Sequence, residues 1–327
     1  STTGESVIAL DRRLARALLS AGQLEDAVRA AGFVLAEVPT DIEAVVTRAW
    51  ALEHLGRVRE AAADFSHALE LMRKSPPVVR SALWAERSIG QPPHGQLANV
   101  RAAAIVRFEA RVGLAAARVK LGELDLAWAV LEPDVIDASE RELSLGALAA
   151  RLLSTAARIR GHVRFREGDF LAADALFRQA FDLAVEANAP EERIDALNAL
   201  GTVAHYRNDL DRAETIYRRG LDEARRWDLP HIEGYFATNL GELQVQAGRL
   251  DVAGGVLARA LDLHGRLGNQ EGLAETRRWR AMLEERRGNL QAAYAEAREG
   301  HRIATAAGLA AIAGAIAGLA CFAERES

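Results

Sequence analysis

The chain has 327 residues, with 41 basic and 46 acidic side chains that give a formal net charge of −5. Both signs of charge are interspersed along the sequence, which excludes the strongly basic character expected of a nucleic-acid-binding chain. Aromatic residues reach only 6% while alanine occupies 66 positions, so a strand-rich fold is disfavoured and helices are expected.

A short pattern recurs seven times along the chain. It consists of Gly or Asn, then an apolar residue two positions later, then an alanine three positions after that. Its copies begin at Gly22, Gly56, Gly122, Gly168, Asn208, Gly248 and Gly288, and the last four are 40 residues apart. Gly and Asn adopt the left-handed conformation that ends a helix, so each copy predicts the turn of a helical hairpin.

Apolar residues with helical spacing lie on both sides of these turns, as in Leu197, Leu200 and Ala204 before Asn208. Helix-breaking residues separate one predicted hairpin from the next, and they begin at Asn188, Asp228, Gly268 and Gly308. Each unit is therefore expected to read helix, turn, helix, loop.

The spacing is longer between the second and third turns. Pro76 and Pro77 predict the start of an extra helix over 78–89, followed by a loop over 90–95 and a long first helix of the third repeat over 97–121. A second irregularity over 132–139 precedes a long helix expected over about 140–167. These interruptions either bend the array or form a partner-specific surface, or they are tolerated loop insertions.

The chain ends in a predicted helix over 310–323 that continues the 40-residue spacing without a second helix. Gly314 and Gly318 form a ridge of small residues on it. The helix either packs on the last repeat or docks on another domain or a second copy of the chain. The uncharged run from Ile303 to Ala323 is mostly alanine and glycine and is interrupted by Gly308, so a packed helix is favoured over a membrane span.

These motifs resemble the tetratricopeptide repeat (TPR) family. The family pattern of Leu-Gly, turn residue, alanine, large residue and small residue is matched by Leu200-Gly201, Asn208, Ala213, Tyr217 and Gly220. The seventh repeat departs from it, with Arg280-Ala281 and Ala297. The resemblance implies an all-α, right-handed superhelical solenoid of about seven helix-turn-helix units with a C-terminal capping helix. The 40-residue spacing is similar to that of sensor and scaffold arrays in bacterial signalling regulators.

Four segments follow from this interpretation. Repeats one and two are expected in 1–75, and an inserted helix, a loop and repeat three in 76–139. Repeats four to seven are expected in 140–309, with the capping helix in 310–327.

No catalytic pattern is present in the sequence. The eight histidines form no compact ligand set, and the glycines are spaced as helix turns without a phosphate-binding Gly-Lys-Ser/Thr ending. The single Cys321 excludes an internal disulfide and fits a reducing compartment. We therefore expect a cytoplasmic, non-enzymatic protein without metal or cofactor, and with no nucleic-acid or membrane partner.

In the family, one stripe of each first helix faces the binding groove. Transferring that register predicts a polar stripe with interleaved aromatic rings, at Arg158, His162, Phe165, Asn198, Thr202, His205, Tyr206, Tyr235, Asn239, Glu242, Arg278 and Met282. Arg166, Thr238 and Glu285 fall on the same stripe. Asn198 and Asn239 resemble the groove asparagines of peptide-binding members, whose amides satisfy a passing backbone. Arg12 and Arg16, followed by Thr47 and Trp50, match the carboxylate clamp of chaperone-binding members poorly.

Three functions remain open at this point. The first is a sensor that binds a peptide or protein segment in the groove and reports to an effector domain. The second is an assembly module that joins copies of a protein through 310–323 and the end repeats. The third is a small-molecule sensor with its inducer near Trp279, Tyr235 and Tyr206.

Overall fold

The computed structural model describes residues 2–74, 94–132, 147–310 and 312–318. Over these ranges the chain is helical and contains no β-strand. It divides into two compact units, residues 1–189 and 190–327. The all-α prediction is confirmed for the described part of each unit. The extra helix predicted over 78–89 and the irregular segment over 133–139 lie outside the described residues.

The described residues of unit 1 form four helical hairpins. Their helices are α1 (Thr2–Ser20), α2 (Leu24–Glu37), α3 (Ile42–His54), α4 (Val58–Lys74), α5 (His94–Leu121), α6 (Leu124–Val130), α7 (Ala147–Arg166) and α8 (Phe170–Glu186). Each helix packs against its neighbour in this order, and the first helices α1, α3, α5 and α7 also contact one another in sequence. The long helix α5 confirms the extended first helix expected for repeat three.

Over residues 190–306, unit 2 contains three hairpins of nearly identical dimensions. Their helices are α9 (Pro190–Tyr206), α10 (Leu210–Arg226), α11 (Pro230–Gln246), α12 (Leu250–Arg266), α13 (Gln270–Arg286) and α14 (Leu290–Ala306). Again each helix packs on the next, and the first helices α9, α11 and α13 are neighbours. First helices and second helices therefore form two layers within this unit.

The turns between helices have the backbone conformation that the repeated pattern predicts. All seven turn residues have positive φ, including Asn208 at 61°. The breakers between hairpins also have positive φ, at Asn188, Asp228, Gly268 and Gly308. Left-handed residues at these points end each helix and reverse the chain, which confirms the predicted hairpin boundaries.

Side-chain caps start several of the helices. Asp41 accepts a hydrogen bond from the Ala44 backbone N–H, and Asp169 and Asn269 make the corresponding bonds to residues three positions later. Such caps satisfy N–H groups that lack a partner within the helix. Pro230 occupies the first turn of α11, where a missing N–H costs nothing.

Residues 312–318 are helical and pack on the last hairpin of unit 2. Ile316 is fully buried in a cluster with Ala281 and Ala297, whereas Gly314 and Gly318 are exposed. Within this segment, packing on the last repeat is what the structure shows. The remainder of the expected capping helix, 319–323, lies outside the described residues.

In the part of the chain that the structure describes, no helix is long and apolar enough to span a membrane.

Candidate functional site

Nine of the twelve predicted binding residues lie on the first helices of unit 2. Asn198, Thr202, His205 and Tyr206 belong to α9, Tyr235, Asn239 and Glu242 to α11, and Arg278 and Met282 to α13. We call the surface formed by Asn198, His205, Tyr206, Asn239, Glu242 and Arg278 the first-helix face. Because α9, α11 and α13 are direct neighbours, these side chains form a continuous polar surface.

Two asparagines from different repeats meet at one end of the first-helix face. Asn239 Nδ2 donates a hydrogen bond to Asn198 Oδ1, with an N–O distance of 2.8 Å. Both side chains are partly exposed. This contact uses one donor and one acceptor, which leaves Asn198 Nδ2 as a donor and Asn239 Oδ1 as an acceptor on two neighbouring side chains.

A second contact between α9 and α11 lies further along the two helices. His205 Nε2 is 2.7 Å from Gln246 Oε1, and Gln246 Nε2 donates to Glu242 Oε1 at 3.2 Å. His205 Nδ1 lies 4.0 Å from the same Glu242 oxygen. Gln246 was not predicted as a site residue, although its 40-residue spacing from Tyr206 could have indicated it.

Glu242 is a partly desolvated carboxyl group. Its side chain is 20% exposed. Burial raises the pKa of Glu242 to about 7, and the nearby charge of Arg278 offsets this only in part. Its protonation therefore changes near neutral pH and responds to any charge placed beside it.

Arg278 is held by partners on its own helix. Its Nε donates to both carboxylate oxygens of Glu275 at 3.1 Å, and its guanidinium stacks on Trp279 at 4.2 Å from the ring centroid. Trp279 is only 4% exposed and belongs to the core of unit 2. The hypothesis of an inducer near Trp279, Tyr235 and Tyr206 stays a prediction, with the Trp279 ring covered by Arg278 and packed against α11 and α12.

Beneath the first-helix face lies a buried polar cluster that the sequence did not indicate. Thr238 Oγ1 is 2.9 Å from Thr276 Oγ1 and 3.2 Å from His264 Nε2. His264 is fully buried, and this burial lowers its pKa. Thr238 was placed on the exposed stripe by the register, but it is 4% exposed and serves packing between α11 and α13.

Two further predicted residues take part in contacts within unit 2. The Tyr235 hydroxyl accepts a hydrogen bond from Asn269 Nδ2 at 3.0 Å, and its ring lies edge-on to His264. Met282 packs against the core cluster that contains Leu257 and Leu283. Tyr235 keeps an exposed side, whereas Met282 contributes mainly to packing.

The other three predicted residues, Arg158, His162 and Phe165, lie on α7 in unit 1. His162 packs edge-on against Phe177, at 5.0 Å between ring centroids. Burial, with the charges of Arg158 and Arg166, lowers the pKa of His162 to about 3, so the ring is neutral. Phe165 contacts Phe170. Both rings of this stripe, His162 and Phe165, are therefore in contact with the hairpin's own second helix.

The two arginines considered for a carboxylate clamp already have carboxylate partners. Arg12 pairs with Asp41, and Arg16 Nη2 lies 3.4 Å from Glu109 Oε2. Trp50 packs on Phe65. These contacts agree with the poor match of this region to a clamp.

Among the described residues, no group of three or more His, Cys, Asp or Glu side chains is arranged to hold a metal ion.

Comparison with known proteins gives the following matches. A family model for the tetratricopeptide repeat matches residues 151–225. A search of curated proteins finds no match. The apo form of RapI is similar in structure with a TM-score of 0.62 and 12% sequence identity, over 91% of this chain and 98% of that chain.

Two other solved structures are similar. A signal transduction ATPase with numerous domains (STAND) that carries a TPR sensor, from Pyrococcus horikoshii, gives a TM-score of 0.61 at 16% identity, over 91% of this chain and 41% of that chain. A Rap protein in complex with Competence and Sporulation Factor gives 0.50 at 9% identity, over 98% of both chains. At these identities the similarity is one of fold. Together with the matched family model, the repeated turns and the stacked hairpins, it shows that the chain contains a tetratricopeptide repeat domain.

Proposed function

We propose that the chain is a non-catalytic, cytoplasmic scaffold that binds an extended peptide or protein segment on the first-helix face of unit 2. In this proposal it is the sensor part of a bacterial regulatory protein and passes the binding event to an effector domain. Stacked helical repeats commonly bind other proteins along the surface of their first helices.

The asparagine pair is the observation that carries the proposal. Asn198 Nδ2 and Asn239 Oδ1 belong to two partly exposed side chains that bond to each other, and this donor and acceptor suit the C=O and N–H groups of an extended backbone. A packing role alone does not require amides at this place, because the core lies beneath them at Leu197 and Leu240. The sequence of the peptide would then be read by neighbouring side chains.

Two of the similar solved structures also support the proposal of a peptide-binding sensor. One is a Rap protein complexed with Competence and Sporulation Factor, and another is a STAND protein whose repeats are described as a sensor. Their low identity to this chain transfers no ligand, so the proposal depends on the asparagine pair.

A selection for linear peptides on the immobilised full chain tests the proposal. Selected peptides are synthesised and titrated by calorimetry against the wild type and the double variant Asn198→Ala/Asn239→Ala. Loss of two backbone hydrogen bonds should weaken binding by about tenfold or more. The matched control is Thr215→Ala/Asp222→Ala on the exposed side of α10, which should bind like the wild type.

Circular dichroism and the melting temperature show whether both double variants keep the fold. Equal affinity of the asparagine variant and the wild type would contradict this assignment of the binding surface. Failure to select any peptide would contradict peptide binding itself.

A further inference from the structure

The first-helix face of unit 2 carries an imbalance of charge around Glu242. The ionisable neighbours of Glu242 include Arg278 and Glu275, together with His205, whose Nδ1 lies 4.0 Å from Glu242 Oε1. Arg278 donates to both oxygens of Glu275 and stacks on Trp279, so its charge is largely taken up by its own helix. When Glu242 is ionised, Arg278 therefore compensates its negative charge only in part.

Glu242 has little hydrogen-bond support for its charged form. Its Oε1 accepts one bond, from the neutral amide of Gln246 at 3.2 Å. Among the described residues, neither Glu242 oxygen accepts a hydrogen bond from a cationic side chain. Burial accordingly raises its pKa to about 7. A partly buried carboxylate with one hydrogen bond from a neutral amide is stabilised more by a new cationic partner than a fully solvated carboxylate is.

An exposed aromatic ring lies on the same face. Tyr206 is 63% exposed, and its ring is next to that of His205, at 6.2 Å between centroids. His205 in turn lies 4.0 Å from Glu242. Tyrosine faces attract ammonium and guanidinium groups, so this region combines a carboxylate with an aromatic surface suited to the same ligand group.

We propose that Glu242 and Tyr206 select a lysine or arginine side chain of the bound peptide. The inference rests on the peptide binding proposed above and assigns a specificity to that same surface. Asn239 precedes Glu242 by three residues on α11, which places their Cβ atoms about 5–6 Å apart on one face of the helix. An extended peptide advances about 3.3 Å per residue, so a backbone held at the asparagine pair brings a side chain one or two residues away to Glu242.

Parallel selections test this specificity. A library of linear peptides is selected on the full-length wild type, on Glu242→Gln and on the matched control Asp222→Asn, which removes one carboxylate from the exposed side of α10. We expect a lysine or arginine at one peptide position with the wild type and the control, and no basic preference there with Glu242→Gln.

Calorimetry on single peptides then measures the effect. Selected peptides are made with an acetylated N-terminus, which removes the terminal amine as an alternative cation, and with either the basic residue or uncharged norleucine. At pH 8, where Glu242 is mostly ionised, norleucine should weaken binding about tenfold for the wild type and Asp222→Asn. The change should be below about threefold for Glu242→Gln, whose fold is checked by its melting temperature.

The outcomes separate the two proposals. Peptides that bind, lose affinity with Asn198→Ala/Asn239→Ala and yet show no preference for a basic residue would overturn the role of Glu242 and leave the binding surface intact. An equal norleucine effect in Glu242→Gln and the wild type would overturn it as well. If no peptide binds the wild type, both proposals are wrong.

Discussion

The first and the last hairpin of unit 2 differ in the size of the residues at two equivalent core positions. In the α9–α10 hairpin, Gly201 faces the buried ring of Tyr217, and a Cβ at Gly201 would lie 2.3 Å from that ring. In the α13–α14 hairpin the equivalent residues are Ala281 and Ala297, and neither can fill the space between the helices. This is where the seventh repeat departs from the family pattern.

The segment that follows the last hairpin contributes a large side chain to the core of that hairpin. Ile316, from the helical residues 312–318, is fully buried against Ala281 and Ala297, and its Cδ1 also approaches Gly300. The α9–α10 hairpin has its own Tyr217 and also receives Phe236 from the next helix, which packs on Gly220 and lies edge-on to Tyr217. Ile316 stands 80 residues after Phe236 and makes the equivalent contact with Gly300, so the last hairpin keeps this contact from the following helix and has alanine in place of the tyrosine.

Removing Tyr217 from the α9–α10 hairpin should have the largest effect on stability. Tyr217→Ala leaves a cavity under α9 and α11, and we expect a loss of about 3–5 kcal/mol in stability, measured by thermal unfolding and by hydrogen exchange of α9 and α10. The matched control is Tyr206→Ala, because Tyr206 is 63% exposed and its removal should change stability by less than about 0.5 kcal/mol. Equal effects of the two substitutions would refute the packing role of Tyr217.

Removing the side chain of Ile316 should have a smaller and more local effect on stability. Ile316→Ala is expected to cost about 2–3 kcal/mol, near the lower end for a buried isoleucine, because only the last hairpin packs on it. Hydrogen exchange should accelerate in α13 and α14 and stay unchanged in α9 and α10. Val252→Ala, at an exposed position of α12, serves as the control. Unchanged exchange in α13 and α14 would show that the last hairpin does not depend on Ile316.

The smallest expected effect on stability is that of a substitution at Gly201, which tests the contact with Tyr217 directly. Alanine is the better helix former by about 1 kcal/mol, yet Gly201→Ala places a methyl group against the Tyr217 ring, and we expect a net loss of about 1–2 kcal/mol. Gly255→Ala is the control, since a Cβ there meets no atom within 4 Å, and it should raise stability by about 1 kcal/mol.

A double-mutant cycle adds a test of the contact itself. The cost of Gly201→Ala should disappear when Tyr217 is also alanine, because the methyl group then enters free space. Additive effects of the two substitutions would contradict direct contact between these positions.

The hairpin boundaries were readable from the sequence because they depend on local backbone conformation. Gly248 and Asn208 at the turns and Asp228 between hairpins have positive φ, which few residue types adopt at low cost. The 40-residue spacing then placed the helices of unit 2 to within a few residues. The segments without this periodicity gave weaker predictions, and those over 78–89 and 133–139 fall outside the described residues.

The sequence predicted which positions of the first helices form the candidate site, but it predicted few of the contacts between their side chains. The register correctly placed Asn198, Asn239 and Glu242 on neighbouring first helices with partly exposed side chains. It could not show that the two asparagines bond to each other, that Thr238 is buried with Thr276 and His264, or that Trp279 lies under Arg278. The first two features join side chains 26 to 41 residues apart in sequence, whose approach follows from the stacking of hairpins.

The amino-acid sequence by itself determined the helical hairpins, their number in the regular part of the chain and the likeness to tetratricopeptide repeats. Those properties arise from short-range backbone preferences and from a period that can be counted. Tertiary structure alone decided which large side chain fills each hairpin and which polar groups stay accessible. Both outcomes depend on volume and desolvation in three dimensions, which residues distant in sequence share.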